Sequence, residues 1–266
     1  MSLSKQQVNE ISELLTRQIR RKLSAYNPEP SVMPFHTRLL GKDRMALFSF
    51  VQSINTTLGA SVFEDTAVII ARPHFKRATS QYKEFNDTVS DKAQKLIQSL
   101  MNDLTTARIK PNKPAETRQI LAVARSGKML KIKRPRIDFF VESNDGVEYY
   151  FDLKTAKPNL GEFKDFKRML LDWIAIRGAL DSKTKIRTLL AIPYNPYEPE
   201  PYQRWTLQGM LDLNDEILVA EEFWDFLGGH NAYAELLDVF EKVGIALRPE
   251  IDAKFANLND SKSNLM

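Results

Sequence analysis

Apolar residues recur at helical spacing through the first part of the chain. Residues 5–26 carry them on one face, which predicts an amphipathic helix built on Val8, Ile11, Leu14, Leu15, Ile19 and Leu23. Residues 41–59 and 60–71 predict two apolar helices that meet at Gly59. Shorter periodic segments predict helices that begin near Ser90 and Glu116. The pattern predicts a helical N-terminal portion over about residues 1–125.

The period of the pattern then changes from helical to strand-like. "RIDFFVES" (136–143) and "VEYYFDLK" (147–154) are rich in strand-forming residues and flank Asn144-Asp145-Gly146, which predicts a β-hairpin. A helix is expected over about residues 160–180. "KIRTLLAIPYNP" (185–196) is nearly continuously apolar up to Pro193, as is typical of a buried central strand.

These elements predict a single α/β domain over residues 1–256. The hairpin and sheet would occupy about residues 130–195, and a helical C-terminal portion about residues 205–256. Residues 257–266 are expected to form a flexible tail.

Composition excludes several classes of protein. The 266 residues include no Cys, so disulfide and thiolate chemistry are excluded and a reducing compartment fits. The N-terminus lacks the apolar segment of a secretory signal, and no apolar run approaches the roughly 20 residues that span a bilayer. We therefore expect a cytoplasmic protein with no membrane partner. No phosphate-binding glycine motif is present, so no nucleotide cofactor is expected.

Positive charge is concentrated just before the hairpin. The net charge is only +4, but "ARSGKMLKIKRPR" gathers basic residues within one short segment. Such a cluster is either a solvated face or a surface that follows a phosphate backbone, and its position beside acidic residues favours the second. The predicted DNA-binding residues are Lys128, Lys131, Lys133, Arg134, Arg136, Lys157 and Asn159.

The hairpin also carries acidic residues in a pattern that suggests chemistry. Asp152 and Lys154 are two apart in a strand, so their side chains share one face while Leu153 points to the other. With a three-residue loop Asp138 lies opposite Asp152, whereas a two-residue loop shifts the pairing by one position. Two close carboxylates favour a cation between them, and hard oxygen ligands suit Mg²⁺. The predicted metal-contacting residues are Asp138, Asp152 and Leu153.

A Mg²⁺ ion beside a lysine matches what phosphodiester hydrolysis requires: charge neutralisation, a Lewis acid and a positioned water. The tripeptide Asp-x-Lys alone is weak evidence, because it occurs five times in the chain, beginning at Asp152, Asp165, Asp181, Asp252 and Asp260. The other four lie on predicted helices or polar surface. Only the first follows Pro135-Arg136-Ile137-Asp138 by a hairpin.

"PRID" followed by "FDLK" resembles the signature of the PD-(D/E)XK nucleases, with the first pair loosened to Pro-x-x-Asp. The similarity extends over about residues 34–248 and resembles the branch of type II restriction endonucleases that recognises GGNCC. It is carried by "SINTTLGASVFEDTAVIIA", "FDLKTAKPN", "AIPYNPY" and "FWDFLGGHNAYAELLDVFEKVGI".

The resemblance implies a restriction-endonuclease-like mixed β-sheet core flanked by helices. It also implies a further glutamate from an N-terminal helix: Glu64 matches that position best, and Glu84 and Glu116 are alternatives. The expected catalytic residues are Asp138, Asp152, Lys154 and Glu64. The expected partners are Mg²⁺, double-stranded DNA, a second copy of the chain and a cognate methyltransferase that it does not contact directly. Two other hypotheses remain open: a repair or transposon-type structure-specific nuclease, and a non-catalytic DNA-binding protein on the same fold.

Overall fold

A mixed five-stranded β-sheet lies at the centre of the chain. The computed structural model describes residues 2–26, 33–154, 162–202 and 209–263, without the side chains of residues 42, 43, 60 and 255–263. The sheet has the order β1-β4-β5-β6-β7; β4 is antiparallel to its neighbours β1 and β5, and β6 and β7 are parallel to β5. Its strands are β1 (Arg77–Tyr82), β4 (Ile137–Glu142), β5 (Val147–Leu153), β6 (Lys185–Ile192) and β7 (Ile217–Val219). The strands β2 (Thr88–Ser90) and β3 (Met129–Lys131) form a separate antiparallel pair.

Helices cover both faces of the sheet. One layer is formed by α5 (Asp91–Thr105), α6 (Lys113–Val123) and α7 (Glu162–Leu180). The other is formed by α1 (Lys5–Ala25), α4 (Phe63–Ala71), α8 (Glu221–Gly228) and α9 (Ala232–Ser263). Two more helices, α2 (Pro34–Leu40) and α3 (Lys42–Thr57), adjoin each other, and α3 lies against α1 and α9. The fold class expected from the sequence is confirmed.

Side chains of the central strands alternate between the two cores. Phe140 and Tyr150 pack in the α7 layer, whereas Phe139 and Phe151 pack in the α4 layer. Full burial of one such side chain contributes about 1.5–3 kcal/mol, and a shift by one residue would exchange the two faces. The pattern therefore fixes the register of the hairpin.

The hairpin loop has the geometry that the three-residue alternative predicts. Phe139 pairs with Phe151 and Glu142 with Glu148, and the main-chain N–H of Ser143 donates to Val147 at 2.9 Å. Gly146 has φ of +79°, a conformation that glycine adopts without a Cβ clash. Continued by one residue, this register sets Asp138 opposite Asp152.

The structure corrects several boundaries. Helices α3 and α4 do not meet at a break at Gly59; a π-helical turn, Leu58–Val62, joins them. The sheet exceeds the predicted 130–195 segment, because β1 lies in the portion expected to be helical and β7 lies beyond Ile192. Helix α6 begins at Lys113 rather than Glu116, since Asn112 caps it. Helix α9 continues to Ser263, beyond the predicted domain boundary at residue 256.

Candidate active site

The four predicted catalytic residues line one cleft of about 660 Å³ at the open end of the β4–β5 hairpin. They are Glu64, Asp138, Asp152 and Lys154. Helices α3 and α7 form the walls, and the Pro135–Arg136 segment forms the rim. The cleft thus gathers carboxylates and a lysine that are up to 90 residues apart in sequence.

The hairpin positions Asp138 and Asp152. Asp138 is the second residue of β4 and Asp152 the penultimate residue of β5, so the antiparallel pairing brings them to the same end of the hairpin. Both are buried, and the main-chain N–H of Leu153 donates to Asp138 Oδ2 at 3.1 Å. The Asp138 carboxylate is thereby held against the strand that carries Asp152.

Among the described residues, no group donates a hydrogen bond to the buried Oδ2 of Asp152. The Lys154 Nζ lies 2.8 Å from Asp152 Oδ2 and forms an ion pair with it, at an angle outside hydrogen-bonding geometry. Burial raises the pKa of Asp152 to about 6, with Lys154 opposing the shift and the nearby Asp138 adding to it. An orphaned carboxylate oxygen beside a second carboxylate is a donor set that fits a hard divalent cation.

Glu64 reaches the cleft because of the π turn. The cleft-lining residues of α3 are Gln52, Asn55 and Thr56, followed by Gly59 in the turn, at spacings of three, four and seven residues along one helical stripe. Continued as an α-helix, this stripe would next include Phe63. In the π turn the N–H of Phe63 donates to the carbonyl of Leu58. The turn holds one residue more than an α-helical turn, so each later side chain takes the direction that the preceding residue would have had in an α-helix. Glu64 therefore enters the cleft, and Phe63 packs in the core.

The surroundings of Glu64 favour its neutral form. Burial raises the pKa of Glu64 to about 7; the Gln81 side chain opposes this by donating to Oε2, whereas the charge of Asp138 adds to it. Arg136 lies between the acids, with Nε donating to Asp138 Oδ1 at 3.2 Å and Nη2 3.8 Å from Glu64 Oε1. The guanidinium therefore balances part of the negative charge of both acids.

Comparison with known proteins identifies the family. Residues 3–244 match the family described as Type II restriction endonuclease, HinfI. The chain belongs to that family. The type II restriction enzyme HgiEI of Herpetosiphon aurantiacus is 26% identical over 269 residues, covering 92% of this chain and 96% of the relative. HgiCII of the same organism is 27% identical over 236 residues, 87% of this chain and 85% of the relative.

A relative from an archaeon is similarly close. The type II restriction enzyme MjaII of Methanocaldococcus jannaschii is 27% identical over 288 residues, covering 97% of this chain and 75% of the relative. The enzyme class expected from the sequence, a site-specific endonuclease, is confirmed. Type II restriction endonucleases act on double-stranded DNA and generally use divalent metal ions. Among the described helices of this endonuclease, none combines the length and apolarity that a bilayer span requires.

The two alternatives to Glu64 lie elsewhere in the endonuclease. Glu84 is exposed and pairs with Arg77 at 2.6 Å. Glu116 is buried beside Lys167 at 2.6 Å, within the α6–α7 layer and outside the cleft lining. The cleft therefore favours Glu64 as the additional acid.

The structure separates the predicted basic residues into groups. Of the described ones, Arg136 lines the cleft with the acids, and Lys133 lines an adjoining cavity that shares Pro135 with it. Arg134 donates to the carbonyl of Lys83. The side chains of Lys128 and Lys131 are exposed near β3, away from the cleft lining. Lys157 and Asn159 lie outside the described residues.

Sequence reasoning missed part of the cleft wall. The polar residues Gln52, Asn55 and Thr56 form a stripe on an otherwise apolar helix, and that stripe is the signal that could have revealed them. Gln81 was missed because its strand, β1, was not predicted. Trp173 and Met169 of α7 complete the wall opposite α3.

A separate group of potential metal ligands lies on α8 and in the turn that leads to α9. Ligand atoms of Glu221, Asp225 and His230 lie within 4.8 Å of one another. The Asp225 carboxylate accepts the main-chain N–H groups of Asn231 at 2.9 Å and Tyr233 at 3.0 Å. Asp225 therefore caps the helix, which accounts for its position.

Glu64→Gln should stabilise the endonuclease at alkaline pH in EDTA. The raised pKa of Glu64 means that its contribution to stability is present below the unfolded pKa and is lost as pH rises through about 7. The introduced glutamine does not titrate. The free energy of unfolding of the variant, relative to that of the wild type, should therefore increase by up to about 3 kcal/mol between about pH 5 and about pH 8. Urea unfolding at both pH values measures this.

The matched control is Glu84→Gln, which neutralises an exposed glutamate. Its effect on the free energy of unfolding should change little with pH. If Glu64→Gln changed the free energy of unfolding by the same amount at both pH values, the raised pKa of Glu64 would be contradicted.

Proposed function

We propose that this endonuclease requires Mg²⁺ and hydrolyses phosphodiester bonds of double-stranded DNA at a short interrupted palindrome, GGNCC. The observation that carries the proposal is the cleft in which Glu64, Asp138, Asp152 and Lys154 converge. The recognition sequence rests on the sequence resemblance alone.

Asp138, Asp152 and the main chain of Leu153 would hold the metal. The Oδ2 of Asp152 supports this assignment, because no described residue donates a hydrogen bond to it and the carboxylate lies beside that of Asp138. Mg²⁺ bound there supplies a Lewis acid for the scissile phosphate. The raised pKa of Asp152 implies that metal binding competes with protons, so we expect the apparent affinity to rise with pH.

Lys154 is placed to act on the attacking water. Its ammonium lies 5.3 Å from the centre of the Phe166 ring, and its side chain is 33% exposed, so it is both oriented and accessible from the cleft. An ammonium beside the phosphate would orient the water and stabilise the negative charge that develops in the transition state. Glu64, with a pKa near neutrality, would accept a hydrogen bond from water on the other side of the cleft.

The basic residues would contact the DNA backbone. Arg136 is 68% exposed at the rim. Its guanidinium can turn from Asp138 towards a phosphate when a bound cation neutralises the acids in its place. Lys128, Lys131, Lys133 and Arg134 extend the positive surface from the rim, and Lys157 and Asn159 are proposed to join it. The whole system would include a cognate methyltransferase without direct contact and would act in the cytoplasm.

A structure-specific repair or transposon-type nuclease would use the same residues. Digestion of phage DNA in Mg²⁺ separates the possibilities: discrete fragments support the proposal, a smear indicates structure-specific cutting, and uncut DNA contradicts nuclease activity. Fragment ends that do not map to GGNCC would refute only the recognition sequence.

Replacing Mg²⁺ with Ca²⁺ should retain specific DNA binding and remove most cleavage. Ca²⁺ can neutralise Asp138 and Asp152 against a phosphate, but its longer and looser coordination positions the water poorly. Gel shifts and cleavage assays on one oligonucleotide measure both quantities. Cleavage in Ca²⁺ at the Mg²⁺ rate, with Mg²⁺ excluded by chelation, would show that the site does not demand Mg²⁺ geometry.

A further inference from the structure

The guanidinium of Arg136 bridges two acids of the cleft. Its Nε donates to Asp138 Oδ1 at 3.2 Å, and its Nη2 lies 3.8 Å from Glu64 Oε1. The other oxygen of Asp138, Oδ2, accepts the main-chain N–H of Leu153 at 3.1 Å. Both oxygens of Asp138 therefore have a partner within the protein, and the partner of Oδ1 is a positively charged side chain.

Arg136 is less firmly held than the acids that it contacts. Its side chain is 68% exposed, whereas those of Asp138 and Glu64 are 12% and 3% exposed. An ion pair with an exposed partner is weak, because solvent screens it and because holding a long side chain in one geometry costs entropy. The guanidinium can therefore move away while the two buried carboxylates stay in place.

The charge of the cleft depends on where Arg136 lies. Among the described residues that line the cleft, the charged side chains are three carboxylates and two cations: Glu64, Asp138, Asp152, Arg136 and Lys154. With Arg136 in place, one excess negative charge remains when all three acids are ionised. A divalent ion bound to Asp138 would also lie close to the guanidinium, and like charges that close repel each other. Arg136 thus opposes the binding of a metal ion to the acids that it neutralises.

A DNA phosphate offers Arg136 a better partner. Arginine can bind a phosphate through two parallel charge-assisted hydrogen bonds, whereas Arg136 makes one hydrogen bond to Asp138 and a longer contact with Glu64. Because Arg136 lies at the rim of the cleft, a DNA backbone whose phosphate reaches the acids passes beside it. DNA can therefore draw the guanidinium away from the two carboxylates.

We propose that Arg136 couples metal binding to DNA binding. In the free protein it pairs with Asp138 and Glu64 and lowers the affinity of the site for a divalent ion. On DNA it turns to a phosphate and leaves Asp138 to the ion. The inference rests on the proposed function, from which it takes the metal site and the DNA substrate. Binding free energies are reciprocal, so the ion should raise DNA affinity by the same factor by which DNA raises the affinity for the ion.

The first test is Arg136→Gln, which removes the charge of an exposed side chain. The probe is Ca²⁺, because it should bind the acids without supporting cleavage. At about pH 8 the protein is above the raised pKa values of Glu64 and Asp152. Calorimetric titration without DNA should give a Ca²⁺ affinity that is about 10-fold higher for the variant than for the wild type. The matched control is Arg134→Gln, since Arg134 donates to the carbonyl of Lys83 instead of an acid, and its Ca²⁺ affinity should equal that of the wild type.

The second test separates an Arg136 that moves from one that stays on the acids. Fluorescence anisotropy of a labelled duplex that the wild type cleaves in Mg²⁺ gives the DNA affinity in EDTA and in saturating Ca²⁺. The ratio of these two affinities measures the coupling, and it should be about 10-fold larger for the wild type than for Arg136→Gln. An Arg136 that stayed on the acids would change both affinities by the same factor and leave the ratio unaltered.

Each result bears on the coupling or on the site beneath it. Equal Ca²⁺ affinities for Arg136→Gln and the wild type, or equal ratios, would overturn the coupling and leave the proposed function standing if the wild type cleaves DNA in Mg²⁺. A wild type that cleaves no DNA would refute the proposed function, and calorimetry would still decide whether Arg136 opposes a cation at the acids. If none of the three proteins bound Ca²⁺, the metal site would be refuted, and the role of Arg136 with it.

Discussion

Asp152→Asn and Lys154→Ala should each reduce DNA cleavage by at least about 1,000-fold, the expected loss when a group that stabilises transition-state charge is removed. Asp152→Asn keeps the shape of the side chain and removes the charge on its donorless Oδ2, the atom best placed for a cation. Lys154→Ala removes the ammonium that lies 2.8 Å from that oxygen. Single-turnover cleavage in Mg²⁺ measures the loss, and specific DNA binding in Ca²⁺ should persist for Lys154→Ala.

A repeat of the same tripeptide supplies the control. Asp181→Asn and Lys183→Ala alter an Asp-x-Lys whose two charged residues are exposed after α7. Their cleavage rates should stay close to that of the wild type. Cleavage by a folded Asp152→Asn protein within about tenfold of the wild type would remove Asp152 from the mechanism, since a metal ligand is worth more than that.

The role proposed for Asp152 should cost the folded protein stability. Removing the charge of Asp152 relieves the cost of keeping a carboxylate in a buried position, so Asp152→Asn should unfold at a higher denaturant concentration than the wild type in EDTA. A variant that is inactive yet at least as stable as the wild type would exclude misfolding as the cause of the lost activity.

The hairpin was predictable from sequence because two independent signals agree. The alternation of apolar residues in β4 and β5 and the Asn144-Asp145-Gly146 loop give the same register, and that register sets Asp138 opposite Asp152. Strand β1 was missed because it is a polar edge strand, "RATSQY", in which only Tyr82 is buried. Its pairing partner, β4, is distant in sequence, so local pattern carries no information about it.

The position of Glu64 was predictable only through family resemblance. Regular α-helical spacing would place Phe63 in the cleft. The π turn places Glu64 there instead, and the composition of Leu58–Val62 does not predict such a turn. Lys167 shows the same limit. Its tripeptide, Asp165-Phe166-Lys167, lies on a helix as expected, but its lysine is fully buried. The two carboxylates that pair with it, of Glu116 and Glu216, come from other elements, so local sequence does not predict the burial.

Lys167 belongs to a buried network of four charges. Its Nζ lies 2.6 Å from Glu116 Oε2 and 2.7 Å from Glu216 Oε2, and Lys113 Nζ lies 2.8 Å from Glu216 Oε1. Burial alone would raise the pKa of Glu216, but the two lysines outweigh it and lower that pKa. The network joins α6, α7 and the segment before β7, and α7 carries the cleft residues Met169 and Trp173.

Lys167→Met should therefore destabilise the fold by about 3–5 kcal/mol, because two buried carboxylates then share the single ammonium of Lys113. Lys164→Met, an exposed change on the same helix, is the control and should alter the free energy of unfolding little.

Adding Glu116→Gln to Lys167→Met removes one uncompensated charge and should recover part of the loss in a double-mutant cycle. Lys167 helps to lower the pKa of Glu216, so in its absence the deficit should shrink as pH falls and Glu216 takes up a proton. Urea unfolding at two pH values tests this directly. If the loss of stability were the same at both pH values and unchanged by Glu116→Gln, Lys167 would stabilise the fold only through packing of its carbon chain.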